Sequence, residues 1–257
     1  EGDATAEANH TAYEVTNGRL DAQSWQYSAS DVQANASATV HYSPSPNLYS
    51  AAATGNYYGS LSTSGGSQEH ETHQSQDGQT ISRAELFGGN VWYSTAQSTA
   101  VANNVDLQNQ GGSLVISNDQ AHTGYVQSQA FIQADQYSTS DATATGVGNK
   151  LAVGNNDVYV RVDNSQISSG GVDVSAEFDG NSGFDGTATA DATGNQVLAY
   201  ACSECKADIG VNSNQVNNSD VSATATSVIS QGRSAISTAR ATGNSATFYV
   251  SGGHGAQ

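Results

Sequence analysis

Ala192-Thr193-Gly194-Asn195 is one of six short runs of small residues that end in asparagine. The same tetrapeptide occurs at residues 53–56 and 241–244, and related runs occur at 6–9, 100–103 and 146–149. Spacings of 47, 47, 46, 46 and 49 residues separate the six asparagines, which are Asn9, Asn56, Asn103, Asn149, Asn195 and Asn244. A nearly fixed period of this length predicts a repeat architecture, in which these six asparagines are the candidate ladder residues.

A second marker lies 23 to 26 residues after each of the first five asparagines, in segments that begin at Val32, Ile81, Val126, Val172 and Val221. Apolar or small residues alternate there with polar ones, which predicts strands with one buried face. We therefore expect an all-β repeat solenoid with a thin core and coils of about 23 residues within the 47-residue repeat. A β-sandwich of separate repeats is the fallback fold. The predicted inward residues are Val32, Ala34, Val126, Val172, Val174, Ala176, Val221 and Ala223.

The composition supports one repeat β domain over residues 1–257. Only 36% of the residues are apolar and no segment keeps a helical period, so a thick core is excluded. Three polar or turn-rich segments, near residues 41–47, 64–80 and 179–186, are predicted to be loop insertions.

The charge narrows the range of partners. The net charge is -17, with 24 acidic and 7 basic residues, which argues against nucleic acid because phosphate contacts need Lys and Arg. No apolar stretch reaches the roughly 18 residues of a transmembrane helix. The chain begins at Glu1 and contains no Met, so we expect a secreted or cell-surface protein after removal of a signal peptide, with simple truncation as the alternative.

The cysteine pair Cys202-Ser-Glu-Cys205 is the main covalent feature. In a secreted chain a disulfide between the two is expected, and it would require a local turn. Free thiols, a metal site and redox chemistry are the alternatives.

Metal binding has two weak candidates. Asp179, Asn181 and Asp185 resemble the start of a calcium loop, but Ala190 stands where the twelfth-position Glu is needed. Calcium binding here is the alternative to a Gly-rich turn, and the expectation is no cofactor. The cluster Glu69-His70-Glu71-Thr72-His73 is a candidate surface metal site or a solvated loop.

Recurring amides form a further pattern. Asn118 and Gln120 recur as Asn164 and Gln166, which indicates either stacked amide ladders between coils or ordinary turn residues. Trp25, Trp92 and the 12 tyrosines could stack on sugars, but most of these rings are expected to close the ends of the core.

Repeated Ala-Thr-Gly-Asn runs, the acidic composition and the late Cys202-Ser-Glu-Cys205 pair resemble the holdfast-anchor proteins of stalked alphaproteobacteria, of the HfaD type. The resemblance implies a cell-surface protein that helps to bind an adhesive polysaccharide to the envelope together with partner anchor proteins. It implies no catalytic residues.

The predicted function is that of a non-enzymatic structural or adhesive protein. We expect it to stack end to end with itself or with another surface-anchor protein, or to anchor a polysaccharide. The alternative is a parallel β-helix that binds or degrades polysaccharide, which would need acids grouped with Arg or Lys in one groove.

Overall fold

The structure, a computed structural model, describes residues 1–157, 159–201 and 207–250. These residues form fourteen strands and no helix, so none of them could cross a membrane as a helix. The strands are β1 (Gly2–Thr16), β2 (Arg19–Ser28), β3 (Val32–Ser43), β4 (Asn47–Ser64), β5 (Ser67–Gln76), β6 (Thr80–Asn109), β7 (Ser113–His122), β8 (Val126–Asn155), β9 (Tyr159–Ser168), β10 (Val172–Ser182), β11 (Asp185–Ala201), β12 (Asp208–Asn217), β13 (Val221–Gln231) and β14 (Ser234–Val250).

All strand pairs are parallel and join residues one repeat apart. Asn56 pairs with Asn103, and Val172 pairs with Val221. The strands form a nine-stranded and a five-stranded sheet. The all-β solenoid is therefore confirmed, and the parallel pairing excludes a β-sandwich of antiparallel units.

Each coil runs out along one long strand and returns along two shorter ones. The outbound segments are 2–16, 47–64, 94–109, 139–155, 185–201 and 234–250. The first return strands are β2, β5, β7, β9 and β12, which make up the five-stranded sheet. The second return segments are 32–43, 80–91, 126–137, 172–182 and 221–231.

The predicted coil length of about 23 residues is wrong, because one coil uses the whole repeat. The asparagine marker lies on the outbound strand, and the marker that begins at Val172 lies on the second return strand. The two markers belong to opposite layers of the same coil and pair only with their own copies. A half-repeat period in the sequence therefore reflects two layers and not two coils.

The core consists of two thin hydrophobic clusters side by side. One lies between the first halves of the outbound strands and the second return strands, with Ala142, Ala144, Val172 and Ile132 among its buried members. The other lies between the second halves of the outbound strands and the first return strands and contains larger side chains such as Leu151 and Ile116. The eight residues predicted to face inward are buried or packed against the first cluster.

The Gly-Asn step lets one outbound strand serve both clusters. In β11 the buried positions are 186, 188, 190 and 192 before this step and 195, 197, 199 and 201 after it. Thr193, Gly194 and Asn195 are all buried, so the alternation shifts by one residue there: even-numbered residues face inward before the step and odd-numbered residues after it. A Cβ on Gly194 would lie 2.5 Å from the Gly243 carbonyl oxygen and 2.6 Å from Asn217 Oδ1. Glycine is therefore required at this position.

The predicted loop insertions are strands and short corners. Residues 67–76 form β5, so the expected loop over 64–80 is wrong for most of its length. Its polar residues alternate, and Gln68, His70, Thr72, Gln74 and Gln76 are buried. Polarity indicated a loop, but these side chains face an interior that supplies hydrogen bonds. Near 41–47 and 179–186 the chain only turns from one coil into the next.

Two histidines are part of this polar interior. His70 Nε2 donates to Gln68 Oε1 at 2.9 Å, and the Tyr58 hydroxyl lies 2.8 Å from His70 Nδ1. His122 is fully buried next to the first cluster. Burial lowers the pKa of both histidines to about 4. Both rings are therefore neutral at pH 7.

We predict that mild acid destabilises the fold. Histidine titrates near pH 6.5 in an unfolded chain, so the unfolded state binds more protons than the folded state between about pH 6.5 and 4. Above that window the neutral histidines make their full contribution to the free energy of unfolding. The contribution decreases as the pH falls through the window, by up to about 1.4 kcal/mol per pH unit for each ring.

Urea unfolding at pH 7.5, 6.0 and 5.0 measures this loss. His122→Gln should flatten the decrease, because glutamine does not titrate. Burial raises the pKa of Asp141, which acts in the opposite direction. A free energy of unfolding that is constant from pH 7.5 to 5.0 would contradict the prediction.

Candidate functional site

The six marker asparagines form one continuous ladder through the interior. Nδ2 of each asparagine donates to Oδ1 of the asparagine in the next coil, with five bonds of 2.7–2.8 Å from Asn9 to Asn244. The same nitrogen donates to a first return strand of the opposite layer, at 2.7–3.3 Å. For Asn149 that acceptor is the Ile167 carbonyl. Each asparagine therefore links coil to coil and layer to layer.

A second ladder of glutamines runs beside it on the first return strands, through Gln26, Gln74, Gln120, Gln166 and Gln215. Four bonds of 2.7–2.8 Å join successive side-chain amides. Each Nε2 also donates to an outbound carbonyl, at 2.8–3.2 Å. The donors of this ladder point toward earlier coils, whereas those of the asparagine ladder point toward later coils. The solenoid is therefore crossed by two ladders of opposite polarity.

One of the predicted metal candidates, Asp185, is held by an arginine. Asp179 and Asn181 lie near the end of β10, and Asp185 begins β11. Asp185 accepts hydrogen bonds from Arg233 Nε at 2.9 Å and from Arg233 Nη2, and this contact lowers the pKa of its carboxyl. Among the described residues, no group of three or more His, Cys, Asp or Glu side chains could hold a metal ion.

The cluster at residues 69–73 is divided between the two faces of β5. His70 is buried, whereas Glu69, Glu71 and His73 lie on the outer face. Alternation along a strand therefore separates ligands that are adjacent in sequence. The predicted disulfide of Cys202 and Cys205 lies outside the described residues and stays a prediction.

Both tryptophans are exposed, contrary to the expectation that most aromatic rings close the core. Trp25 is 65% exposed on the outer face of β2 and stacks on His73, with ring centroids 5.6 Å apart and planes 10° apart. His73 lies 3.3 Å from Glu71 Oε1 and 3.6 Å from Asp119 Oδ2. This surface, the Trp25 platform, carries acidic side chains, and one face of its indole is covered by the imidazole.

Trp92 lines a groove of about 440 Å³ at the corner where second return segments pass into outbound segments. Trp92 and Phe184 are 52% and 56% exposed, and the groove between them is lined by Ser138 and by the buried Tyr137. Asn90 and Gln136 add a side-chain amide pair, with Asn90 Nδ2 donating to Gln136 Oε1 at 3.0 Å. None of the lining residues is charged. We call this site the corner groove.

Sequence reasoning found the tryptophans but missed the other members of the corner groove. Phe184 and Gln136 lie in segments that look like ordinary turns and strands. The available signal was the period, because residues 92, 138 and 184 are each 46 apart. The period places residues 92, 138 and 184 side by side only if one coil uses the whole repeat. With coils of half a repeat, these residues would not lie in successive coils.

These features define a class of protein, a parallel β-solenoid stabilised by internal amide ladders, with aromatic side chains on its outer surface. The family model of holdfast attachment protein D, HfaD, matches residues 1–171, which is more than half of the chain. The chain therefore belongs to this family. Membership implies a function in holdfast attachment and a location at the cell surface. No curated protein and no solved structure matches the chain significantly.

We predict that Asn149→Ala lowers the free energy of unfolding by about 3 kcal/mol. The substitution removes bonds to Asn103, Asn195 and Ile167 and leaves buried partners without a hydrogen bond. Asn149→Asp keeps the acceptor but cannot donate, and it buries a charge, so it should destabilise at least as much at pH 7.

Urea unfolding measures both effects. Asn35→Ala, on an exposed position of β3, is the control and should change stability by less than about 0.5 kcal/mol. Equal losses for Asn149→Ala and Asn35→Ala would show that the ladder contributes nothing.

Proposed function

We propose that this chain is a non-catalytic cell-surface protein that holds an adhesive polysaccharide to the envelope. The observation that carries the proposal is the exposure of both tryptophans on a scaffold whose coils are joined by two internal amide ladders. Tryptophan is enriched in binding interfaces relative to the rest of protein surfaces. Aromatic rings stack on the C–H faces of sugars, and family membership supplies the attachment context.

The charge distribution supports the choice of ligand. The chain carries a net charge of -17, so a polyanionic partner would be repelled. The corner groove has an uncharged lining, which suits hydroxyl-rich chains. Exposed aromatic rings and an uncharged lining are features of a binding surface, and we propose no catalytic residues.

We expect the purified chain to sediment with insoluble adhesive polysaccharide isolated from cells. The double variant Trp25→Ala, Trp92→Ala should lose most of this binding, because it removes both exposed indoles without touching the core. Release of soluble sugar from the polysaccharide would show instead that the protein is an enzyme. Undiminished binding by the double variant would contradict the aromatic contact.

We also propose that the chain assembles end to end through its ladders, with itself or with another surface-anchor protein. Bonds between successive coils have the same form throughout, so a coil of a second molecule with the same amides can add by the same contacts. The opposite donor directions of the two ladders are both continued only when the second molecule has the same polarity. A head-to-tail contact of this kind propagates instead of closing.

Sedimentation velocity tests the assembly. The chain concentrations run from about 1 to 100 μM, because weak association has dissociation constants of roughly this size. We expect larger species to appear as concentration rises, and Asn244→Ala to reduce them by removing a ladder donor. Asn35→Ala is again the control. A monomer at every concentration that also fails to bind the immobilised chain would contradict assembly with itself and leave only assembly with another surface-anchor protein.

A further inference from the structure

The corner groove is built on equivalent positions of successive coils. The register pairs Val91 with Tyr137 and Tyr93 with Thr139, so Trp92 and Ser138 occupy the same corner position. Ser182 pairs with Gln136 and Asp185 pairs with Thr139, which places Phe184 at that position one coil later. An aromatic ring, a small hydroxyl and a second aromatic ring therefore follow one another along the corner. Two coil steps of about 4.8 Å separate the two rings by roughly 9.6 Å at the backbone.

This separation leaves room for one sugar ring between two aromatic side chains. Carbon atoms in contact lie about 3.5–4.0 Å apart, so a ring contacted on both faces needs roughly 7–8 Å between the aromatic planes. Ser138 leaves the space between the two rings open, because its side chain is small. The corner groove is therefore a slot with two apolar walls and a hydroxyl at its base.

The Phe184 wall is supported from behind. The guanidinium of Arg233, on the following coil, lies 5.8 Å from the centroid of the Phe184 ring. Asp185 holds that guanidinium through two hydrogen bonds. Arg233 therefore occupies one side of Phe184, and the side toward Ser138 is left for a ligand. Asp185, a predicted calcium ligand, is a positioning residue in this arrangement.

The base of the slot is rigid. Tyr137 is buried and packs edge to face on Phe178, with centroids 5.0 Å apart. A Cβ on Gly183 would lie 2.5 Å from the Tyr137 carbonyl oxygen, so glycine allows the chain to pass this close to Tyr137. The Phe184 wall and the base are thus held in place before any ligand binds.

We propose that the corner groove binds one uncharged pyranose residue of gluco configuration between Trp92 and Phe184. The inference rests on the proposed function and names the ligand class for it. Contact on both faces requires a ring whose two faces both present C–H groups, which is the all-equatorial arrangement. An axial hydroxyl, as in mannose or galactose, places a polar group against one aromatic wall. The uncharged lining and the amide pair of Asn90 and Gln136 favour a neutral ring with edge hydroxyls.

The Trp25 platform differs from the slot in its charged neighbours and in the covered face of its indole. It offers one free face of one indole, and its neighbours Glu71 and Asp119 are acidic. Trp25 is therefore a separate candidate contact for the polysaccharide, outside the slot.

The test uses the full chain and the fluorescence of a single tryptophan. Trp25→Phe leaves Trp92 as the one tryptophan of the sequence. Its emission should shift to shorter wavelength and saturate with a β-1,4-linked glucose tetrasaccharide, because the sugar displaces water from the indole. The β-1,4-linked mannose tetrasaccharide should bind at least tenfold more weakly. Equal binding of the two sugars, or binding of neither while the native polysaccharide still binds through Trp92, would overturn the assigned ligand class.

Calorimetry with the glucose tetrasaccharide and sedimentation with the native polysaccharide locate the site. Trp92→Ala, Phe184→Ala and Ser138→Phe should each weaken binding of both ligands by about tenfold or more, the last by filling the slot while both walls remain. Arg233→Ala should weaken it less, and Asn35→Ala, on the exposed face of β3, should leave tetrasaccharide binding unchanged. Far-UV circular dichroism verifies that each variant keeps the strand signal.

The failure of this inference is distinguishable from failure of the proposed function. Polysaccharide binding that survives all three slot variants but is lost in Trp25→Ala would overturn the corner groove and leave the attachment function intact. A wild-type chain that binds no polysaccharide would overturn both.

Discussion

The amide ladder is the interaction on which the rest of the structure depends. Each interior asparagine of the ladder uses its donor group along the stack and across the layers, and it accepts from the preceding coil. A buried amide that lacked any of these partners would cost more than the bond contributes. The ladder therefore holds only if every coil has the same height, the same register and the same layer spacing. The repeat length of 46 to 49 residues is the sequence counterpart of that condition.

A polar interior explains a composition that looks too poor in apolar residues to fold. The two hydrophobic clusters are thin, and much of the space between the layers is filled by amides, hydroxyls and two neutral histidines. Glutamines on the first return strands repeat the asparagine arrangement with reversed polarity. Stability thus comes from many equivalent hydrogen bonds in a low-dielectric interior, where such chains of bonds reinforce one another.

The same regularity makes the outer surface a precise support for binding. Side chains at equivalent positions of successive coils stand about 4.8 Å apart, whatever their chemistry. Binding groups can therefore be introduced at single positions without disturbing the ladder, as Trp92 and Phe184 are at the corner. The anchoring function that we propose needs this kind of rigid, repetitive surface more than it needs a catalytic cavity. The acidic charge of the chain disfavours contacts between the sides of neighbouring solenoids.

The sequence by itself determined the repeat, the parallel β architecture and the inward residues, because period and alternation are properties of the chain that packing must respect. Asn9 to Asn244 could be listed as a ladder from spacing alone. Only the tertiary structure decided that one coil uses the whole repeat, because the two layers of a coil carry different markers with the same period. It also decided that the polar segment of β5 is interior, since its hydrogen-bond partners come from other coils. Trp92 and Phe184 are 92 residues apart and meet at one groove because two full coils, and not four half-coils, lie between them.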